Sequence, residues 1–219
     1  MVRILLHGPQ WFFGVDAMME VIAGIVALLI VLASYRYMRM AKDPRYGALG
    51  GGFLLIFIGF VSQVISTILI YQQFRTSGAQ TVMDISNTLF VGHAAQVLFF
   101  VSGLLVLVLW ALKINDKMHK AFVITLTTFV AVLGVLNPVI FHLLSLALLL
   151  FLCAKFFLNA IEHDTVSSWG VLSGFSLLTL ARLAFLLEPL NAQWYVGGHA
   201  AQLIGYILLL IVLIQVVRK

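Results

Sequence analysis

Charge is the scarcest property of this chain. Only 10% of its 219 residues are Asp, Glu, Lys or Arg and 63% are hydrophobic, against about 25% and about 45–50% in an ordinary soluble domain. A globular interior of this size cannot hide so much apolar side chain, which excludes water as the main solvent and implies lipid. There is one cysteine, Cys153, so no disulfide forms within the chain, and in its apolar run the residue reads as small packing material. Phosphate-cradling glycine loops, Cys-x-x-Cys pairs and Gly-x-Ser-x-Gly elbows are missing. A retinal protein would need a Schiff-base lysine in mid-helix 7, where the only lysine is the terminal Lys219. The segment Met1–Gln10 holds one Arg, three consecutive large aliphatics and then Gly8-Pro9. That is not a signal-peptide pattern, so the first helix is expected to direct insertion.

What is present is a series of hydrophobic runs. About 20 apolar residues cross a bilayer, and seven runs of that kind are legible: roughly Phe12–Met38, Ala48–Tyr71, Met83–Leu112, Ala121–Leu136, Pro138–Ala160, Ser167–Leu187 and Gln193–Val217. The expectation is an all-α integral membrane protein of seven transmembrane helices forming a single transmembrane domain over 1–219. Asn137-Pro138 predicts a tight turn with Pro at a helix start. Asp84 to Asn87 and Asn191 are candidate N-caps for the third and seventh helices.

The net charge of +5 reads as topology, with no nucleic-acid partner implied. Arg36, Arg39, Lys42, Arg45, Lys113, Lys117, Lys120, Lys155, Arg218 and Lys219 fall in one set of loops, and only Arg3 and Arg75 in the other. By the positive-inside rule the N-terminus is outside and the C-terminus cytoplasmic, in a plasma membrane. The basic stretch Arg36–Arg45 also suits anionic lipid.

The string Gly-His-Ala-Ala-Gln occurs twice, as Gly92–Gln96 and Gly198–Gln202. With Gly52-Phe53 echoed by Gly174-Phe175, this suggests a duplication: repeat A over about 12–112, a connector helix over about 121–136 and repeat B over about 138–217. An odd connector leaves both halves in the same orientation. In architecture alone this 3+1+3 plan resembles the SWEET-type parallel repeat; no motif of that family is present, and no residue roles come with it.

Counting from the basic ends at about 1.5 Å per residue sets His93 and His199 level with each other in the outer part of the membrane. Glu20, His142 and Arg182 fall near the same layer, with Asp16 one turn above Glu20. Ionisable groups at that depth face one another or a cavity. The expected cluster is therefore Asp16, Glu20, His93, Gln96, His142, Arg182, His199 and Gln202, with a carboxylate contacting Arg182 or a histidine.

Three chemistries suit such a layer. The favoured one is a b-type cytochrome-like electron carrier, in which His93 and His199 are axial ligands of one haem b. Gly92 and Gly198 would give the macrocycle room, Arg182 would pair with a propionate, and Gln96 and Gln202 would orient ligands or water. Phe99, Phe100, Trp194 and Tyr206 would line the ring, and a membrane redox partner or a second copy of the chain would complete the path. The second is a zinc or iron site on His93, His142, His199 and Glu20, possible ground for hydrolysis. That topology is similar to the seven-helix alkaline-ceramidase-like zinc hydrolases, whose last helix carries a His pair at i, i+4; Leu203 departs from that pattern. The third is a small-solute or ion carrier with its site on the repeat axis. The inner half of the helices is almost wholly aliphatic, which favours a cofactor or a one-sided site over alternating access.

Overall fold

A computed structural model describes residues 9–12, 14–43, 45–76, 81–112 and 117–217. After a single 3-10 turn at Gln10–Phe12 come seven helices: α1 Val15–Ala41, α2 Arg45–Thr76, α3 Thr81–Leu112, α4 Lys117–Leu136, α5 Pro138–His163, α6 Val166–Leu187 and α7 Gln193–Val217. Each is long and apolar enough to cross a membrane. The chain is an all-helical, seven-span membrane protein.

Most helices outrun their apolar stretch. α2 starts at Arg45 and ends at Thr76, several residues beyond the expected Ala48–Tyr71. A helix keeps its backbone hydrogen bonds satisfied past the hydrocarbon edge, so polar residues extend it into the interface. α3 likewise begins at Thr81, so Asp84 to Asn87 lie inside the helix and are not its N-cap. Asn191 does cap α7, accepting from the Gln193 N–H at 2.9 Å. Arg3, Lys113, Arg218 and Lys219, counted above for orientation, lie outside the described residues.

Local chemistry sets the tight connections. The Asn137 side chain accepts from the Val139 N–H with Pro138 in the first turn of α5, where a missing N–H costs nothing. α5 ends on Asp164 in the left-handed region (φ 41). Thr165 then opens α6 with a reciprocal capping box to Ser168.

Connections this short make successive helices antiparallel, so α1, α3, α5 and α7 all begin at one face, called here the upper face. α1 packs on α2 and α7, α2 on α3, α3 on α5, and α6 on both α5 and α7. Six helices thus close a ring, and α4 leans on α3 and α5 from outside. On α4 the small or polar residues Thr127, Ala131 and Gly134 are buried, while Phe122, Leu126 and Phe129 are exposed. Between lipid-embedded helices, close packing of small residues replaces the hydrophobic effect as the source of association. A Cβ on Gly103 would come 2.6 Å from the Gly52 carbonyl oxygen, and one on Gly205 would come 3.0 Å from the Gly174 carbonyl oxygen. These two crossings tie α2 to α3 and α6 to α7. The core around them is aliphatic and aromatic, with Ile56, Leu104, Leu107, Leu149, Leu152 and Tyr206 fully buried.

Candidate functional site

Above that core lies a polar cavity of about 200 Å³. Its walls include Glu20 from α1, Gln63 from α2, His93 and Gln96 from α3, His142 from α5, Arg182 from α6, and His199 and Gln202 from α7. At its upper end it reaches Pro138, Val139, Glu188 and Pro189, of which the two prolines and Val139 are exposed. The cavity therefore runs from the upper face down to a buried floor. Every residue of the expected polar layer except Asp16 lines it.

Arg182 forms the floor. It is 5% exposed and donates from Nη2 to the Gln202 side-chain oxygen at 3.2 Å. Its guanidinium carbon lies 4.2 Å from the Phe100 ring centroid, 5.4 Å from Phe141 and 5.5 Å from Phe185. A weakly hydrated, delocalised cation tolerates such a setting better than an ammonium, and the ring faces attract it. Gln202, and not a carboxylate, is thus its hydrogen-bond partner, while Glu20 faces the same cavity.

The three histidines sit differently. His199 is 4% exposed and is enclosed by Tyr195, Phe185 and Phe12, with ring centroids at 4.6, 5.1 and 5.8 Å. The Tyr195 hydroxyl donates to Asp16 Oδ2 at 3.2 Å, and Asp16 Oδ1 accepts from the Gly14 and Ala17 N–H groups. Asp16 is thereby placed beside the cavity wall, one residue removed from His199. His93 has Nε2 at 3.4 Å from the Gly134 carbonyl of α4 and its ring edge-on to Phe141. His142 lies between Phe141 and Phe185, 5.0 and 5.5 Å away.

His93 and His199 share the cavity but stand at different distances from the glycine crossing of their own helix. His93 is ten residues before the crossing at Gly103, and His199 six before the crossing at Gly205, a difference of one turn, about 6 Å at about 1.5 Å per residue.

Other expected residues are used for packing. A Cβ on Gly92 would collide with Ser66, and one on Gly198 would come 2.7 Å from the Phe185 ring. The room beside these glycines is filled by neighbouring helices. Phe99 and Trp194 are exposed, and Tyr206 is buried against Phe53 and Phe60. Among the aromatic residues expected to line the site, only Phe100 is in direct contact with its chemistry, beneath Arg182. The cavity's own aromatic walls are Phe60, Phe141, Phe185 and Tyr195. Tyr195 and Phe185 were legible: Tyr195 precedes His199 by one turn, Phe185 follows Arg182 by three residues, and both therefore share the polar face. Gln63 and Glu188 carried no comparable signal.

Among the described residues, no three of His, Cys, Asp and Glu come together closely enough to hold a metal ion. Compared with known proteins, the chain matches no family model, no curated protein and no solved structure. The fold and the cavity together define a seven-helix membrane bundle with a polar pocket in one half.

Proposed function

We propose that this chain is a membrane-embedded binding module for a small polar ligand, which enters the cavity from one face and is not passed through. The observation that carries this is the cavity itself: five ionisable residues from five helices (Glu20, His93, His142, Arg182 and His199) line one pocket above a closed apolar core. Charges at membrane depth are costly unless they serve a pathway or a guest. The test is ligand-dependent thermal stabilisation of the purified protein, together with flux into proteoliposomes. Stabilisation lost in His199→Phe, without flux, fits the reading; flux of the stabilising ligand would make the protein a carrier.

The positive-inside bias supports an upper face that is outside the cell, with the C-terminus cytoplasmic and the plasma membrane as host. A duplicated origin is supported by burial register. Ala23, Val26, Ala27 and Ile30 on α1 are buried, as are Ser145, Leu148, Leu149 and Leu152, each 122 residues on. Gly52, Phe53, Ile56 and Phe60 correspond at the same offset to Gly174, Phe175, Leu178 and Arg182, all buried. On α3 and α7 the matching offset is 102, set by Gly103 and Gly205, so His199 stands opposite Val97. The pentapeptide is one turn out of this register.

Haem b between His93 and His199 is the second reading, favoured by the fact that both line one cavity with Arg182. The residues fit it poorly. The cavity of about 200 Å³ is below the roughly 300–1,000 Å³ typical for drug-sized ligands, and a porphyrin is larger than those. His93 Nε2 already faces the Gly134 carbonyl, and three aromatic rings crowd His199. The visible spectrum decides between the readings: a Soret band with sharp reduced bands, lost in His93→Ala or His199→Ala, would replace the ligand-binding reading with electron transfer. Stoichiometric zinc or iron in a colourless protein would do the same for the metal reading.

A further inference from the structure

The pocket's charge pattern narrows the ligand, provided that the pocket binds one. Among the described residues lining it, Arg182 at the floor is the one Lys or Arg, and the carboxylates are Glu20 on the wall and Glu188 near the mouth. Arg182 uses Nη2 on Gln202, yet the residue also lines the cavity, so the other edges of its planar fork are left for a guest. A guanidinium fork matches the two oxygens of a carboxylate or phosphoryl group. Gln202 presents its oxygen to Arg182, which turns its two amide donors elsewhere and leaves them for the same acceptor group. A simple anion would have to pass Glu188 and rest beside Glu20. A simple cation could sit beside Glu20 but would leave the Arg182 fork without an acceptor and be repelled by it.

We propose that the pocket takes a small zwitterion, its anionic end on Arg182 and Gln202 and its cationic end toward Glu20. Aromatic walls at Phe141, Phe185 and Tyr195 enclose the link between the two ends, and ring faces also attract an ammonium group. A dry cavity of about 150 Å³ holds benzene, so one of about 200 Å³ suits a guest of roughly six to ten heavy atoms.

The experiment uses isosteric probes on the full chain in detergent: γ-aminobutyrate, butyrate and butylamine, with phosphoethanolamine to separate a free amino acid from a phospholipid headgroup. Thermal unfolding is followed at matched concentrations. The zwitterions should bind at least about tenfold more tightly than butyrate or butylamine, since each lacks one charge-assisted contact. The stronger of the two zwitterions identifies the source. In Glu20→Gln the preference of γ-aminobutyrate over butyrate should vanish while butyrate itself binds no worse. In Arg182→Gln, or in Gln202→Leu if that variant does not fold, zwitterion binding should be lost. Equal binding of butylamine and γ-aminobutyrate to the wild type, abolished by His199→Phe, would overturn the zwitterion class while leaving the pocket a binding site. No stabilisation by any probe would overturn both.

Discussion

Arg182 is the residue on which the interior depends. A buried charge left without its counter-charge is far more costly than a buried pair, and removing both partners together is often neutral or better. Arg182→Met alone is expected to destabilise the protein by about 1–3 kcal/mol, because the buried Gln202 oxygen loses its donor and Glu20 loses the arginine that shares its cavity. The double variant Arg182→Met with Glu20→Leu should recover part of that loss. Thermal unfolding of the two single variants and the double variant checks this, and additive losses would mean that the two side chains do not sense each other. The sequence disclosed these residues well: ionisable groups are so rare in this chain that each one within a span stands out. What stayed hidden was partner choice. Gln202 as the hydrogen-bond partner of Arg182, and Tyr195 as that of Asp16, depend on the relative rotation of α1, α6 and α7. Periodicity fixes a helix face, but not its partner across a gap.

At the scale of helices, the glycine crossings set how closely the bundle packs. Gly103→Ala would push a methyl group against the Gly52 carbonyl oxygen and the Ile56 nitrogen, backbone atoms that cannot rotate away. A loss of about 1–3 kcal/mol is expected, as for other overpacked sites. Gly197→Ala meets nothing within 4 Å and should leave the midpoint unchanged or raise it, since Ala is the better helix former. The two unfolding midpoints measured side by side test the crossing; equal values would contradict it. Thr165→Ala removes one half of the α6 capping box and should cost about 1 kcal/mol. The helices themselves were legible to within a few residues because twenty-residue apolar runs admit few other readings in lipid. The cap of α3 was not, since Asp84 to Asn87 look like one but lie inside the helix. The glycines drew attention in the sequence for the wrong reason: beside a histidine they suggested room for a ligand, whereas at Gly92 and Gly198 that room is taken by Ser66 and Phe185.

For the whole molecule, the loop charges make a definite forecast of topology. In a Cys153→Ser background, a cysteine placed at Asn191 should react with an impermeant maleimide on intact cells. One placed at Lys117 should react only after permeabilisation. The reverse pattern would invert the proposed orientation and turn the cavity mouth toward the cytoplasm. The ring order of the helices was not readable from the chain. It follows from which small residues meet; for α4 the only hint was its expected place as the connector between two three-helix repeats, since in hydropathy it is a span like any other.

The one-turn slip between the matching pentapeptides bears on how anything could be held between the halves. A pocket on a true two-fold axis offers every group twice, so an unsymmetrical guest can sit either way round with equal energy. In the register set by the glycine crossings, Phe60 stands where a second Arg182 would be, Phe100 where a second Gln202 would be, and Val97 where a second His199 would be. At these three positions the α5–α7 half is polar where the α1–α3 half is apolar, while Glu20, Gln63, His93 and Gln96 supply the polar groups of the latter elsewhere. On the proposed duplication that removes the degeneracy: the interior has a head and a tail, and the proposed guest would have a single sense in which to lie.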